Sequence, residues 1–85
     1  MASVDAMPRV IPPDPRILAR RRQIADQMRA ARLHANLSQQ DIVDRTGMDR
    51  SAYQDIEHAR TSPLVDTLQR IADAIGVPLS HLVRE

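Results

Sequence analysis

The sequence contains no cysteine, no tryptophan and no phenylalanine, and it has a single tyrosine, Tyr53. The lack of cysteine excludes a disulfide framework, a thiolate nucleophile and cysteine-based zinc sites. It fits a reducing compartment, so we expect the protein in the cytoplasm. A chain of 85 residues has room for one small domain, whose core must be built from Leu, Ile, Val, Met and Ala.

Long hydrophobic runs and catalytic patterns are missing as well. No stretch approaches the roughly 18 apolar residues that a membrane helix needs, and residues 1–9 lack the order of a secretory signal. We find no paired carboxylates, no nucleophile with a nearby base and no glycine-rich phosphate loop. His34, His58 and His81 share no metal-ligand spacing. We therefore expect no membrane association, no enzymatic activity, no metal and no cofactor.

Charge is unevenly distributed along the chain. All 12 basic residues are arginine, and 11 residues are acidic. Residues 1–32 hold seven arginines and three acids, a net charge of +4, whereas residues 33–85 hold five arginines and eight acids, a net charge of −3. The basic segment suggests a polyanionic partner. Its run Arg20-Arg21-Arg22 is either a phosphate-binding cluster or a solvated helix face.

Proline marks the first segment of the chain. Residues 1–13 carry Pro8, Pro12 and Pro13 and few large apolar side chains, which predicts a flexible N-terminal arm. Residues 14–85 form the predicted domain, in which the alternation typical of strands is missing. Helical spacing and capping residues instead predict five helices. Their approximate limits, caps included, are 14–36, 38–47, 49–58, 62–76 and 79–83.

Capping residues and apolar stripes support those limits. Asp14, Ser38 and Asp49 are placed to accept the free amide hydrogens of a first turn, and Asp41 lies three residues after Ser38, as in a capping box. Asn36 tolerates the left-handed conformation that ends a helix. The first stripe comprises Ile17, Ile24, Met28, Ala31 and Ala35, and the fourth Leu64, Leu68, Ile71, Ala72 and Ile75. The sequence therefore predicts an all-α bundle with an elongated first helix.

The most informative stretch is residues 39–57, within a helix-turn-helix motif of about residues 38–58. Two short helices joined by a tight turn need a glycine where the chain turns and apolar anchors on the second helix, which Gly47, Tyr53 and Ile56 supply. The N-terminal half of the second helix then protrudes with a width that fits the DNA major groove. We expect the Tyr53 ring to fill the core while its hydroxyl reaches water.

At these residues the sequence resembles the lambda-repressor-like, or XRE, family of helix-turn-helix DNA-binding domains. The resemblance covers about residues 24–83. It is carried by Leu37-Ser38-Gln39, Gly47-Met48, Arg50-Ser51, Ile56-Glu57, Ser62-Pro63, Leu68 and Ile75-Gly76-Val77. It implies a five-helix bundle that binds double-stranded operator DNA as a homodimer and represses or otherwise regulates transcription.

The resemblance also implies which residues contact DNA. The base-reading positions are Arg50, Ser51, Gln54 and Asp55. The phosphate-binding positions are Gln39, His58 and Arg60. Arg50 would form two hydrogen bonds to one guanine, and Gln54 two to one adenine. Arg32 and Glu57 occupy the positions of a structural ion pair between the first helix and the end of the third.

The sequence departs from the family pattern at four places. Val43 replaces the usual alanine, so the second and third helices are expected slightly farther apart. Ala59 stands where glycine is common, so that turn is either strained or takes another path. Leu64 replaces a capping serine, which leaves Ser62 to cap the fourth helix. Asp55 places a carboxylate on the groove side, where it is useful mainly as an acceptor for cytosine N4.

Two functions stay open at this point. One is a sequence-specific DNA-binding regulator acting as a dimer, whose recognition helices lie about 34 Å apart. The other is a protein-interaction module, such as an antitoxin or accessory regulator, which uses the face of the third helix carrying Asp49 and Asp55. The net negative charge of residues 33–85 favours this second function. Two surfaces compete as the dimer contact: the long first helix, and the C-terminal turn with Leu79, Leu82 and Val83.

Overall fold

A computed structural model describes residue 12 and residues 14–85 of the chain. This part contains five α-helices and no strand, which confirms the predicted all-α fold with its long first helix. The helices are α1 (Pro15–His34), α2 (Gln39–Thr46), α3 (Arg50–Glu57), α4 (Val65–Ile75) and α5 (Leu79–Val83). The predicted arm, residues 1–13, lies outside the described residues apart from Pro12, so its flexibility stays a prediction.

The first three helices begin at the caps that the sequence predicts. The Asp14 carboxylate accepts a hydrogen bond from the Ile17 amide at 2.9 Å. In the capping box, Ser38 Oγ accepts from the Asp41 amide at 3.0 Å, and Asp41 Oδ2 accepts from the Ser38 amide at 2.8 Å. Asp49 accepts from two amides in the first turn of α3. These bonds satisfy donors that have no partner inside a helix.

Four turns pass through left-handed backbone. Asn36 (φ 59°) follows α1 as predicted, Gly47 (φ 73°) ends α2, and Gly76 (φ 93°) ends α4. Ala59, just after α3, has φ 59°. This conformation costs about 1–2 kcal/mol in a residue that carries a Cβ. Of the two alternatives that the sequence left open for this turn, the strained one is therefore present.

The start of α4 differs from the prediction. The helix begins at Val65, its N-cap is Leu64, and no side chain caps it, so the expectation that Ser62 caps this helix is wrong. Leu64 still has extended backbone (φ −66°, ψ 154°), so it lies before the helix rather than on its buried stripe, and it is 74% exposed. The rest of the stripe is confirmed: Leu68, Ile71, Ala72 and Ile75 are buried.

The core lies where α1 meets α3, α4 and α5, with α2 packed on α3 and α4. Its buried members are Met28, Ala31, Ile42, Tyr53, Ile56, Leu68, Ile71, Ala72, Ile75 and Leu82. The predicted stripe of α1 fails at both ends, because Ile17 is 54% exposed and Ala35 is exposed as well. Ile17 lies in the first turn of α1, where the other described helices bury its side chain only in part. Ala35 lies beyond the last residue of α1.

Candidate nucleic-acid interface

A three-residue turn, Gly47 to Asp49, joins α2 to α3. The Gly47 amide donates to the Val43 carbonyl at 2.8 Å, and the Thr46 hydroxyl donates to the Ile42 carbonyl at 2.7 Å, so the last turn of α2 is closed. Both helices have only eight residues. Helices of this length are marginal alone, so packing against the core fixes the position of α3.

The two sides of α3 have different surroundings. The inward side comprises Tyr53, Ile56 and Glu57, which are buried. The outward side comprises the predicted base-reading residues Arg50, Ser51, Gln54 and Asp55. Of these, Arg50 and Ser51 are exposed and the other two are half-buried. The four positions share one helix face, because residues three or four apart on a helix are neighbours.

Arg50 is held by a contact that the sequence does not indicate. Its Nη1 donates to Gln40 Oε1 at 2.6 Å, and Gln40 Nε2 donates to Asp44 Oδ1 at 2.7 Å. Nε and Nη2 of Arg50 stay available for another partner. Gln40 lies ten residues before Arg50, so no local pattern reveals the pair. Only the placement of α2 against α3 brings the two side chains together.

Gln54 and Gln39 are linked by their side-chain amides. Gln54 Nε2 donates to Gln39 Oε1 at 3.2 Å, and Gln39 Nε2 donates to Glu57 Oε1 at 3.4 Å. The structure thus brings a predicted base-reading residue into contact with a predicted phosphate-binding residue. Gln54 still has Oε1 and one amide hydrogen available for further hydrogen bonds, and Gln39 has one amide hydrogen available.

Asp55 is paired with Arg60, a predicted phosphate-binding residue. Arg60 Nη1 lies 3.3 Å from Asp55 Oδ1, and the Arg60 amide donates to the Asp55 carbonyl at 2.8 Å. The carboxylate on the outward face therefore has a cationic partner next to it. This pair offsets the repulsion that an isolated Asp55 carboxylate would exert on a polyanion.

His58 lies at the C-terminal cap of α3, and its ring is exposed. Nδ1 is 2.8 Å from the Gln54 carbonyl oxygen. Because a carbonyl only accepts hydrogen bonds, the geometry assigns the proton to Nδ1. Nε2 is then an acceptor in the neutral ring and becomes a donor only when the ring is charged.

Arg32 and Glu57 form the ion pair that the resemblance implied. Arg32 Nη2 and Nε donate to Glu57 Oε1 and Oε2 at 2.7 and 3.0 Å, and both side chains are buried. Arg32 Nη1 also donates to the Leu37 carbonyl at 2.9 Å. Burial alone would raise the pKa of Glu57, but the hydrogen bonds and charge of Arg32 help to hold it below its ordinary value. The bond to Glu57 raises the pKa of Arg32 in turn.

Tyr53 lies beside this pair at the centre of the domain. Its ring is buried in the core, as predicted. The expectation that its hydroxyl reaches water is wrong, because the hydroxyl oxygen is buried and makes no hydrogen bond of good geometry within the described residues. Burial, followed by the neighbouring Glu57 carboxylate, raises the pKa of Tyr53. The side chains packed around the ion pair bury the Tyr53 hydroxyl. The sequence pattern does not indicate this burial.

The run Arg20-Arg21-Arg22 does not form a single cluster. Arg20 turns to the C-terminal end of the chain, where it donates to the Val83 carbonyl and lies 3.9 Å from Glu85. Arg21 lines an apolar cleft between α1 and the start of α4. Arg22 lines a shallow depression beside His58. Helical geometry places successive side chains about 100° apart, so the three arginines do not converge on one site, although Arg20 also lines the cleft beside Arg21.

No group of His, Asp or Glu side chains within residues 14–85 is arranged to hold a metal ion. Likewise, none of the five described helices is long and apolar enough to cross a membrane.

Comparison with known proteins identifies the motif. A family model described as helix-turn-helix matches residues 28–82, from the second half of α1 to α5. The chain belongs to the helix-turn-helix family. Its resemblance to lambda-repressor-like domains is thereby confirmed, and helices α2 and α3 are the two helices of the motif.

Two relatives of this helix-turn-helix protein are phage repressors. The immunity repressor protein of Bacillus phage phi105 is 31% identical over 62 residues, which are 73% of this chain and 43% of the relative. The cryptic phage CTXphi transcriptional repressor RstR of Vibrio cholerae is 26% identical over 61 residues, 72% of this chain and 55% of the relative. The chain thus spans about half the length of the relatives it matches.

A solved structure has a similar fold. The crystal structure of the hypothetical transcription factor NHTF from Neisseria superimposes with a TM-score of 0.71 at 26% identity. The similarity covers 91% of this chain and 86% of that chain. It therefore includes the helix-turn-helix and the helices packed around it.

Proposed function

We propose that the protein is a sequence-specific transcriptional regulator, acting as a repressor, that inserts α3 into the major groove of double-stranded DNA as a homodimer. The observation that carries this proposal is the two-sided environment of α3. Its inward side is anchored in the core by Tyr53, Ile56 and the Arg32–Glu57 pair, while its outward polar side chains are accessible. A helix of this width fits the major groove.

Arg50 and Gln54 have the right unused groups to read bases. The bond from Arg50 to Gln40 uses only Nη1, so Nε and Nη2 form a free fork that matches O6 and N7 of guanine. The bond from Gln54 to Gln39 uses one amide hydrogen, which leaves the donor and acceptor that N7 and N6 of adenine require. Each such fork discriminates against the wrong base by about 1–3 kcal/mol.

Ser51 and Asp55 complete the proposed base-reading face. The Ser51 hydroxyl can donate or accept, so it fits several bases. The Asp55 carboxylate accepts only, which suits the N4 amino group of cytosine. The adjacent Arg60 lowers the electrostatic cost of bringing Asp55 close to the DNA backbone.

Gln39, His58 and Arg60 are proposed to bind phosphates at the two edges of this face. The amide of Gln39 stands in the first turn of α2, where backbone N–H groups have no helical partner and the helix dipole favours an anion. His58 and Arg60 lie at and just beyond the end of α3. Such contacts orient a domain on DNA without reading its sequence.

A homodimer is proposed because the reading face is small. One eight-residue helix contacts few base pairs, whereas a two-fold pair doubles the contacts and matches an operator with two half-sites.

Repression is proposed because both phage relatives are repressors. A regulator of this kind acts where the DNA is, which supports the cytoplasm as its location. The alternative of an antitoxin or accessory module has no counterpart in these relatives.

Fluorescence-anisotropy titration with mixed genomic DNA fragments, at two salt concentrations, tests the proposal. We expect affinity to fall steeply with salt, since phosphate contacts release counterions, and a preferred sequence to remain. Selection from random DNA with the purified protein then identifies that sequence. If no affinity is found even at low salt, the proposal is wrong and a protein-interaction module is favoured.

A further inference from the structure

The first half of α1 and the start of α4 share an exposed apolar surface. Five large apolar side chains of the described residues are exposed, and four of them lie here: Ile17, Leu18, Leu64 and Val65, hereafter the apolar patch. Ile17 lines the mouth of a cleft whose floor contains Ile24, Ile56 and Leu68. Pro63 also lines this cleft, and Leu64 and Val65 directly follow it in the chain. Several exposed apolar side chains beside an apolar cleft are typical of an interaction site.

An unpaired charge lies on each side of the apolar patch. Arg21 lines the cleft from the α1 side, and it has neither a hydrogen bond nor an ion pair within residues 14–85. Asp66 follows Val65 in the first turn of α4, is exposed, and also lacks such a partner in the described part of the chain. The patch is thus basic on its α1 side and acidic on its α4 side.

We propose that the apolar patch binds the same patch of a second copy of this chain. The two-fold axis of this contact runs along the cleft between α1 and α4, so that the α1 side of one copy faces the α4 side of the other. Arg21 of each copy then meets Asp66 of the other, so the two unpaired charges become two ion pairs around an apolar centre. The surface is complementary to itself in both charge and hydrophobicity.

This inference deepens the proposed function, on which it rests, by naming the surface that forms the homodimer. The contact leaves the DNA-binding face free, since neither Arg50 nor Gln54 lines the cleft. The competing C-terminal surface is much less available, because Leu82 is buried in the core and Leu79 and Val83 pack against it.

Sedimentation equilibrium of the full chain without DNA tests the surface. We expect a concentration-dependent dimer whose dissociation constant rises by roughly tenfold or more in Leu64→Asp, because a charge then enters the apolar centre. Leu33→Asp is the matched control, since Leu33 is also exposed but lies at the far end of α1. Both substitutions are at exposed positions, and circular dichroism verifies that each variant is folded.

A charge exchange sharpens the test. Arg21→Asp and Asp66→Arg should each weaken the dimer, and the double variant should restore it, because the ion pairs reform with reversed polarity. The inference is overturned if the unsubstituted chain is monomeric, if Leu64→Asp behaves like Leu33→Asp, or if the double variant is no better than the single ones. A dimer that fails to bind DNA overturns the proposed DNA binding but not this surface, whereas a monomer that binds operator DNA overturns this surface and the proposed homodimer but not the DNA binding.

Discussion

Two arginine–carboxylate pairs lie on opposite sides of α3, and they have little in common except their chemistry. Arg32 and Glu57 form two parallel hydrogen bonds on the inward side, where their side chains are 9% and 2% exposed. Arg60 and Asp55 form one contact on the outward side, where the exposed fractions are 64% and 41%. The first pair is fixed by the core, and the second is open to water.

The environment decides what each pair does. A buried pair fixes the angle between α1 and α3, and neither member can lose the other without becoming an uncompensated charge. An exposed pair contributes little to stability because water screens it. Its two side chains remain free to change partners, as the proposed contacts with a base and a phosphate require. The inward pair thus sets the position of α3, whereas the outward pair can rearrange.

The largest expected difference between the pairs is in stability. We expect Glu57→Ala to lower the free energy of unfolding by about 3–5 kcal/mol, because Arg32 is left buried and unpaired. Asp55→Ala should lower it by about 0–1 kcal/mol. Urea denaturation of both variants measures the two values. The double variant Arg32→Met with Glu57→Leu should be less destabilised than Glu57→Ala alone, and equal losses in Glu57→Ala and Asp55→Ala would contradict the comparison.

The inward pair should also determine how the stability of the domain depends on pH in acid. The pKa of Glu57 is lower in the folded chain than its ordinary value of 4.5. A carboxyl whose pKa is lowered by folding stabilises the folded chain at pH values above the ordinary pKa, and this stabilisation is lost as pH falls through the folded pKa. We therefore expect the free energy of unfolding of the unsubstituted chain to decrease below about pH 4.5. Glu57→Gln should lack that part of the pH dependence, whereas an unchanged profile in this variant would argue against a charged Glu57.

On the outward side, substitutions of the proposed base-reading and phosphate-binding residues should have different effects on DNA binding. Arg50→Ala should remove discrimination at one base pair, worth about 1–3 kcal/mol, and leave the other positions unchanged. Gln39→Ala should weaken binding to all sequences about equally, since the contact proposed for it is with the DNA backbone. Titration against a set of single-base operator variants measures both. Similar effects of the two substitutions on every operator would show that the division is wrong.

The smallest expected effect concerns His58. Its Nδ1 is engaged by the Gln54 carbonyl, which leaves only Nε2 of the ring for a phosphate. We expect His58→Ala to weaken binding to every operator variant about equally, by less than about tenfold, because a single exposed contact is lost. His34→Ala, on α1 and away from the end of α3, is the control and should leave the affinity unchanged. Anisotropy titrations compare the three proteins, and a loss confined to one operator base pair would contradict the phosphate contact.

The sequence predicts well where local chemistry decides the structure. Asp14, Ser38 and Asp49 cap their helices because their side chains reach only the nearest amides, and Asn36 ends α1 for a similarly local reason. Leu64 could not be predicted in the same way. Its exposure depends on how far the connection after Ala59 continues before α4 starts, which the local pattern leaves undetermined.

The finer parts of the candidate site depend on tertiary contacts. Gln40 meets Arg50 only because α2 and α3 cross, and Asp55 meets Arg60 only because the strained turn at Ala59 brings the chain back. Spacing along the sequence names the residues on a helix face. It does not show which of their hydrogen-bonding groups are already in use, and those groups decide what remains for DNA.

Methylation protection of guanine N7, a major-groove atom, tests the placement of α3 most directly. On an operator obtained by selection, the bound protein should shield a guanine N7 in each half-site, and Arg50→Ala should lose that shielding at one guanine while the rest of the footprint persists. Salt-sensitive binding that leaves every guanine N7 reactive, or protection unchanged in Arg50→Ala, would contradict the account.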